Sequence, residues 1–353
     1  MNKRILAAGY FGCGNLGDDA LLLAFNSAMS AAGHTVTAMS GAPELTYRNL
    51  QIQSIPRKDL KKFKESLKEN DVLVFPGGSI FQDVTSARSA LYYAQLIKIA
   101  KNAGKPVFMI SQGIGPLTKW LSKRTAISAL QSVDLLAVRD PESARTLMQM
   151  GVRRPVEITA DLTFLLNVPT DSNEAGSYQV AGMKSIGLAP RPHGKNSEIV
   201  QLFGELARGL MGANYVPLMI EMDTKQDNLL IDAIEKSQGG KVPGIRKIAH
   251  PMDLMRRLHR MEAVVSMRLH GGILATACGV PCIMLSYDPK VQAFAKEAGV
   301  PCLSMNNLTP DRVLEAVQVL IKDHDGAKQR TLLAKEKLAK LAQKNVDLVL
   351  ERL

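Results

Sequence analysis

Short apolar runs that read as strands alternate with segments of helical period along nearly the whole chain, and this alternation restricts the fold more than any other feature. In the first half, RILAAGY, HTVTAMS, DVLVFPG, KPVFMIS and VDLLAVR are apolar enough to be strands covered on both faces. Between several of them lie segments such as DDALLLAFNSAMSAAG and SARSALYYAQLIKIAKNAG, with apolar residues at helical spacing and a glycine stop. Strands and helices in alternation build a parallel sheet with helices on both faces. The pattern breaks into polar, small and turn-forming residues at PTDSNEAGSYQVAG, which predicts a linker over 169–182. It then resumes with SIGLAP, NYVPLMI, EAVVSM and PCIMLSY as strands. A length of 353 residues also favours two domains. The expected fold class is therefore α/β. Two Rossmann-like domains, over 1–168 and 183–353, face a cleft, each a parallel sheet with helices on both faces. The last segment, 329–353, reads as a basic amphipathic helix that packs back across the domain junction.

Composition narrows the function. With 46% hydrophobic and 22% charged residues the chain can bury a core. Cys13, Cys278, Cys282 and Cys302 are too few and too irregularly spaced for a disulfide framework or a zinc site. Cys278 and Cys282 read as small core residues, and a reducing compartment is expected. The N-terminus, MNKRILAAGYFG, begins basic, but its apolar run is short and leads into a glycine loop, so a first buried strand fits better than a signal peptide. The longest apolar region, 263–285, is broken by Arg268, His270, glycines and prolines and makes a poor membrane span. A cytoplasmic location is therefore expected. The formal net charge of +11 suits nucleic acid, an anionic membrane or small anionic substrates. Aromatic residues make up only 5% with one Trp, which argues against stacking platforms for nucleic acid, so no such partner is expected. The basic stretches RKDLKKFKESLK and KEKLAKLAQK read first as solvated helix faces, with peripheral contact at the inner membrane face as the minority reading.

In open parallel sheets ligands bind beyond the carboxyl ends of the strands, so the residues just past each strand are informative. GYFGCGNLGDDALL contains a formal GxGxxG, which alone suggests a dinucleotide. However, no acidic residue ends the second strand, and Asp18 and Asp19 open the helix where a pyrophosphate needs bare N–H groups. The two carboxylates either cap that helix or, with Asn15, engage a sugar hydroxyl. In FPGGSIFQD the diglycine with Gly78 permits close backbone approach, and Gln82 and Asp83 can bond hydroxyls; a plain strand-to-helix turn is the alternative. SQGIGP, with Gln112, is a similar loop. AVRDPESAR delivers Arg139 to a strand mouth, where it meets either an anion or an interdomain carboxylate. In VVSMRLHGG, Arg268 offers a bidentate fork for carboxylate or phosphate. His270, at a helix start with two glycines behind it, would gain its proton as an anionic substrate arrives, which suits a general acid. SYDPKVQAF adds Lys290, and RPHGKN adds further cations.

Together NLGDD, GGSIFQD, QGIGP, VRD, RLHGG and YDPK strongly resemble the polysaccharide pyruvyl transferase family, most closely its CsaB type, from residue 4 to about residue 295. The resemblance implies a GT-B-like fold, with the acceptor on the N-terminal side and the donor on the C-terminal side. It implies transfer of pyruvate from phosphoenolpyruvate to a lipid-linked or free saccharide of the secondary cell wall polymer type. The product would be a 4,6-ketal on β-linked N-acetylmannosamine, formed with release of phosphate and without cofactor or metal. Carried over by motif, donor contacts fall at Arg139, Arg268, Leu269, His270 and Lys290. Asp18 and Asp19 join His270 as catalytic candidates, and Asn15, Gly78, Gln82, Asp83 and Gln112 become acceptor or loop contacts. One departure is Ser111, where the third motif would open on a small residue such as glycine. The rival reading is a GT-B glycosyltransferase using a nucleotide sugar; a non-catalytic glycan- or anion-binding protein is the second.

Overall fold

The computed structural model describes residues 2–83, 87–168, 184–240 and 242–353, so the expected linker lies outside the described residues. The chain divides into two compact units, Met1–Leu165 with Leu338–Leu353, and Leu166–Lys337.

The first unit holds β1 (Arg4–Phe11), α1 (Leu16–Ala31), β2 (Thr35–Ser40), α2 (Pro43–Leu50), β3 (Ser54–Pro56), α3 (Leu60–Glu69), β4 (Val72–Phe75) and β5 (Gly78–Phe81). It continues through α4 (Ala87–Asn102), β6 (Val107–Ile114), α5 (Trp120–Ser132), β7 (Leu135–Val138), α6 (Pro141–Met150) and β8 (Glu157–Ile158) to a 3₁₀ turn at Leu162–Leu165. The strands pair in the order β3-β2-β1-β4-β6-β7-β8, with β5 also on β6, and every pair is parallel.

The second unit holds β9 (Ser185–Ala189), α7 (Asn196–Gly212), β10 (Val216–Ile220), α8 (Asn228–Ser237), β11 (Gly244–Ile245), α9 (Pro251–Leu258), β12 (Ala263–Ser266) and α10 (Leu269–Ala277). Then come β13 (Cys282–Ser286), α11 (Pro289–Ala298), β14 (Cys302–Ser304), α12 (Pro310–Lys322) and the long α13 (His324–Leu350), whose C-terminal part counts with the first unit. Its six parallel strands run β11-β10-β9-β12-β13-β14.

Both orders begin 3-2-1-4 in chain sequence, the doubly wound pattern. The direction of winding reverses between β1 and β4 in one unit and between β9 and β12 in the other. A crevice opens at such a reversal, beyond the carboxyl ends of the strands. Each sheet has its own core: Leu6, Leu73, Phe75 and Met109 are buried in the first, and Ile186, Leu188, Val265 and Ile283 in the second. Cys278 and Cys282 lie within the second unit, and burial pushes both thiols up to about 12, so neither is a ready nucleophile.

Two local features bear on the site, and the first departs from the expectation. SQGIGP is not all loop: Ser111 to Ile114 belong to β6, and the register of β6 against β7 shifts between Met109 and Gln112. Ser111 adopts φ +56° there, and its amide donates to Asn345 Oδ1 at 2.9 Å. Asn345, fully buried on α13, also accepts from Thr159 Oγ1 and donates to the Ala160 carbonyl. One amide side chain thus satisfies backbone that the irregularity takes out of the ladder. Secondly, Gly271 and Gly272 are packing glycines. A Cβ on Gly271 would stand 2.3 Å from Ser266 Oγ, and one on Gly272 2.2 Å from the Met284 sulfur. They let α10 lie close on its sheet.

Candidate functional site

In the first unit, Asn15 is the N-cap of α1, accepting from Gly17 N at 3.0 Å and Asp18 N at 3.4 Å. With the cap filled by Asn15, the two aspartates do other things. Asp19 accepts from the Gly12 amide at 2.8 Å and so braces the glycine loop. Gly12 sits at φ +61°, and a Cβ there would stand 2.0 Å from Ser40 Oγ, so the loop can close only on glycine. Asp18 is buried, with Oδ1 3.3 Å from where a Cβ on Gly78 would stand. The NLGDD and GGS segments therefore meet across the β1/β4 reversal. Burial, opposed by the Gly12 hydrogen bond and reinforced by Asp18, pushes the Asp19 carboxyl up to about 7.

A carboxyl that titrates near 7 when folded and near its ordinary value when unfolded keeps its proton longer in the native state. Stability contributed by that proton is lost as pH rises from about 4 to about 7. Asp19→Asn removes the dependence, so its thermal midpoint relative to wild type is expected to rise between about pH 5 and about pH 8. A difference that stays constant with pH would rule this out.

Arg139 leaves the end of β7 and is buried. Its Nη1 pairs with Asp161 at 3.0 Å, its Nη2 donates to Ser79 Oγ at 3.2 Å, and Nε lies 3.8 Å from Asp140. Gly113 makes room for it, since a Cβ there would stand 2.7 Å from Nη2. The carboxylate that meets Arg139 belongs to its own unit, not to the other domain. Asp83 is engaged through Thr118 and Lys119, whose backbone amides and the Thr118 hydroxyl donate to it at 2.7–3.0 Å. Burial raises that carboxyl, but these hydrogen bonds hold it below its ordinary value. Gln112 is fully buried in β6, its amide donating to the Phe75 and Ile110 carbonyls, so it supports the crevice wall rather than reaching into it. Gln82 is half-buried two residues before a stretch outside the described residues.

Arg57 was legible only as part of a basic helix face, yet α3 begins three residues later, capped by Asp59. Arg57 instead follows β3 and stacks on three rings, with Cζ 5.0, 5.3 and 5.9 Å from the centroids of Tyr10, Tyr92 and Tyr93. Its Nη2 donates to Tyr93 Oη at 2.9 Å.

In the second unit the cations gather beyond β9, β12 and β13. Arg268 is the N-cap residue of α10 and is buried. Its Nε donates to both Asp227 oxygens at 3.1 Å, Nη2 also reaches Asp227, and Nη1 lies 4.0 Å from Asp223. Burial pushes the Asp227 carboxyl up against the opposing pull of Arg268 and the Asp223 amide. Leu269 is buried in the first turn of α10, and His270 beside it is half-buried. Lys290, in the first turn of α11, lies 3.4 Å from Asp288, which caps that helix. Tyr287 lies under Arg191, whose Cζ is 4.8 Å from the ring, and beside His193 at 4.9 Å. Burial raises the Tyr287 phenol, while Arg191 and Arg268 pull it back.

The structure thus brings Arg268, Leu269, His270 and Lys290 to one sheet edge and places Arg139 in the other unit with Asp18, Asp19 and Asn15. Sequence reasoning missed Asp161, Asp223 and Asp227. The last two come just after NYVPLMI, in EMDTKQD, so the strand-end rule applied there finds them. Among the described residues no group of three or more His, Cys, Asp or Glu side chains could hold a metal ion.

Solved structures share this fold over the whole chain. Anabaena Alr3699/HepE in complex with UDP-glucose aligns with a TM-score of 0.66 at 14% identity, covering 100% of each chain. The S. aureus MnaA–UDP structure gives 0.67 at 13% identity, over 95% of this chain and 94% of that one. Such likeness supports the GT-B-like class of two Rossmann-like domains. In sequence, the amylovoran biosynthesis protein AmsJ of Erwinia amylovora is 22% identical over 303 residues, 78% of this chain and 72% of that protein. The family described as polysaccharide pyruvyl transferase matches residues 15–289, more than three quarters of the chain. By that match, which runs from Asn15 through Arg268 and His270 and stops one residue short of Lys290, the chain belongs to the polysaccharide pyruvyl transferase family.

Proposed function

We propose that the enzyme moves the pyruvyl group of phosphoenolpyruvate onto a saccharide of a cell-wall polymer precursor, with β-linked N-acetylmannosamine as acceptor and a 4,6-ketal as product. The observation that carries this reading is the gathering of Arg268, His270, Lys290 and Arg191 beyond β9, β12 and β13. Phosphoenolpyruvate carries roughly −2.5 to −3 charges on a phosphate and a carboxylate. A fork, an ammonium and a helix start suit two anionic groups a few ångströms apart. The carboxylates and amide of the first unit suit hydroxyls instead.

The reaction balances without a further reagent. A proton adds to the methylene carbon, with His270 the acid, leaving an oxocarbenium-like centre at C2. One sugar hydroxyl attacks that carbon and gives up its proton. The C2–O bond to phosphate breaks, and the second hydroxyl closes the ketal. Of the two hydroxyl protons, one balances the new methyl group and the other leaves with phosphate. Arg268 and Lys290 stabilise charge on the departing phosphate and the carboxylate, the larger share of such a rate enhancement.

The test is phosphate release from phosphoenolpyruvate with a β-N-acetylmannosaminyl acceptor, and mass analysis of the saccharide. Acceptor-dependent release with a pyruvyl mass gain is expected. Since Alr3699/HepE and MnaA were solved with UDP-glucose and UDP, the competing outcome is stabilisation by a nucleotide sugar with no phosphate released from phosphoenolpyruvate. That outcome would replace this reading with a glycosyltransferase.

A further inference from the structure

We infer that the N-terminal end of α5 is a docking surface for an anionic lipid bilayer. The chain has one tryptophan, Trp120, and it is 69% exposed, with Leu121 beside it 56% exposed. An indole is costly to leave in water, and its amphipathic ring is suited to the level of lipid headgroups. The exposed side chains beside it carry one sign of charge. Lys119, Lys123 and Arg124 line this end of the helix, the Arg124 guanidinium lies 5.4 Å from the indole centroid, and no Asp or Glu occurs from 115 to 131. A groove along the helix is lined by Trp120, Lys123, Arg124, Ile127, Ser128 and Gln131. The first turn of α5 has no acidic residue of its own, and the one carboxylate at its start, Asp83, is buried against the Thr118 and Lys119 amides. Apolar residues set in a ring of cations match a surface that is greasy a few ångströms down and negative on top.

The element is held firmly, as an anchor must be. Asp83, two residues beyond β5, grips the Thr118 and Lys119 amides and the Thr118 hydroxyl, fixing the turn that presents Trp120. On its inner side, Ser122, Ala126, Ala129 and Leu130 are buried, so Trp120 and Leu121 are surplus to the core. Because all strands of the first sheet are parallel, the start of α5 lies at the same sheet edge as Asn15, Asp18 and Gly78. A bilayer docked there would face the edge to which the acceptor is assigned, and that consequence rests on the proposed function; the docking does not. Among the described residues no helix is long and apolar enough to cross a membrane, so the contact would be peripheral.

The full chain can report on itself, because its single tryptophan is the contact residue. It is mixed with vesicles of phosphatidylcholine alone, or with about 30% phosphatidylglycerol added. Co-sedimentation and tryptophan emission are read. Partition onto the anionic vesicles only, with emission moved to shorter wavelength and binding lost on raising salt, is expected. Trp120→Ala should weaken partition at least about tenfold, and Lys123→Glu with Arg124→Glu at least as much. Trp120→Phe, checked by its thermal midpoint, should keep most of it and controls for folding. Failure of the wild type to partition, or partition indifferent to these variants, would overturn the inference. So would a Trp120-dependent emission shift that follows protein concentration without vesicles, because the face would then join two copies of this chain.

Discussion

Replacing His270 with glutamine is expected to lower the rate of acceptor-dependent phosphate release about 10²- to 10⁴-fold, the range over which a positioned acid or base acts. The thermal midpoint should hardly move. His270 is the second residue of α10 and half-buried, whereas the packing of that helix is carried by Leu269, Gly271, Gly272 and Leu274. Glutamine is a fair helix former of similar length, so the variant keeps shape and hydrogen-bonding reach but cannot deliver a proton. The cations around it are untouched, so phosphoenolpyruvate should still raise the thermal midpoint of the variant. Lost turnover with retained stabilisation would mark a chemical role. Turnover at the wild-type rate would remove His270 from the mechanism, and loss of both signals would make it a binding group only.

The interior strands were legible because each is covered on both faces and therefore carries a continuous apolar run. RILAAGY, DVLVFPG, KPVFMIS, VDLLAVR, SIGLAP and EAVVSM became β1, β4, β6, β7, β9 and β12. Short strands such as β3, β8 and β11 contain two or three residues, bury little, and leave no run to detect. The positions of the candidate residues were legible because they lie at strand ends: Asn15, Asp18, Arg139, Arg268 and Lys290 all stand beyond the carboxyl ends of parallel strands. What those residues pair with was not. Arg139 meets Asp161 and Arg268 meets Asp227, 22 and 41 positions away, and no local pattern records such a contact. Asn345 supports Ser111 across 234 positions. Arg57 was hidden for the opposite reason: Lys58, Lys61, Lys62, Lys64 and Lys68 come after it and make it look like part of a solvated helix.

The Arg268–Asp227 pair leads to the other large effect. Asp227 is fully buried and accepts not only from Arg268 but from the Met222 and Asp223 amides at 3.1 and 2.9 Å. Asp227→Ala would strand a buried guanidinium and two amides, a change expected to destabilise by about 3–5 kcal/mol. Neutralising the partner as well, in Asp227→Ala with Arg268→Met, should restore much of that, because an apolar side chain needs no counter-charge there. Denaturant midpoints of the two variants measure both. The pair also bears on function: with Asp227 in place, Arg268 is already neutralised, and an incoming anion gains less from it than from a bare cation. In Asp227→Ala only the more distant Asp223, 4.0 Å from Nη1, would remain beside the anion as counter-charge. Inorganic phosphate or phosphoenolpyruvate should therefore raise the midpoint of that variant more than that of wild type, and should lose the excess in the double variant. Equal shifts in all three proteins would mean that Arg268 holds the fold together and takes no part in anion binding, and the donor site would have to be rebuilt around Lys290 and Arg191.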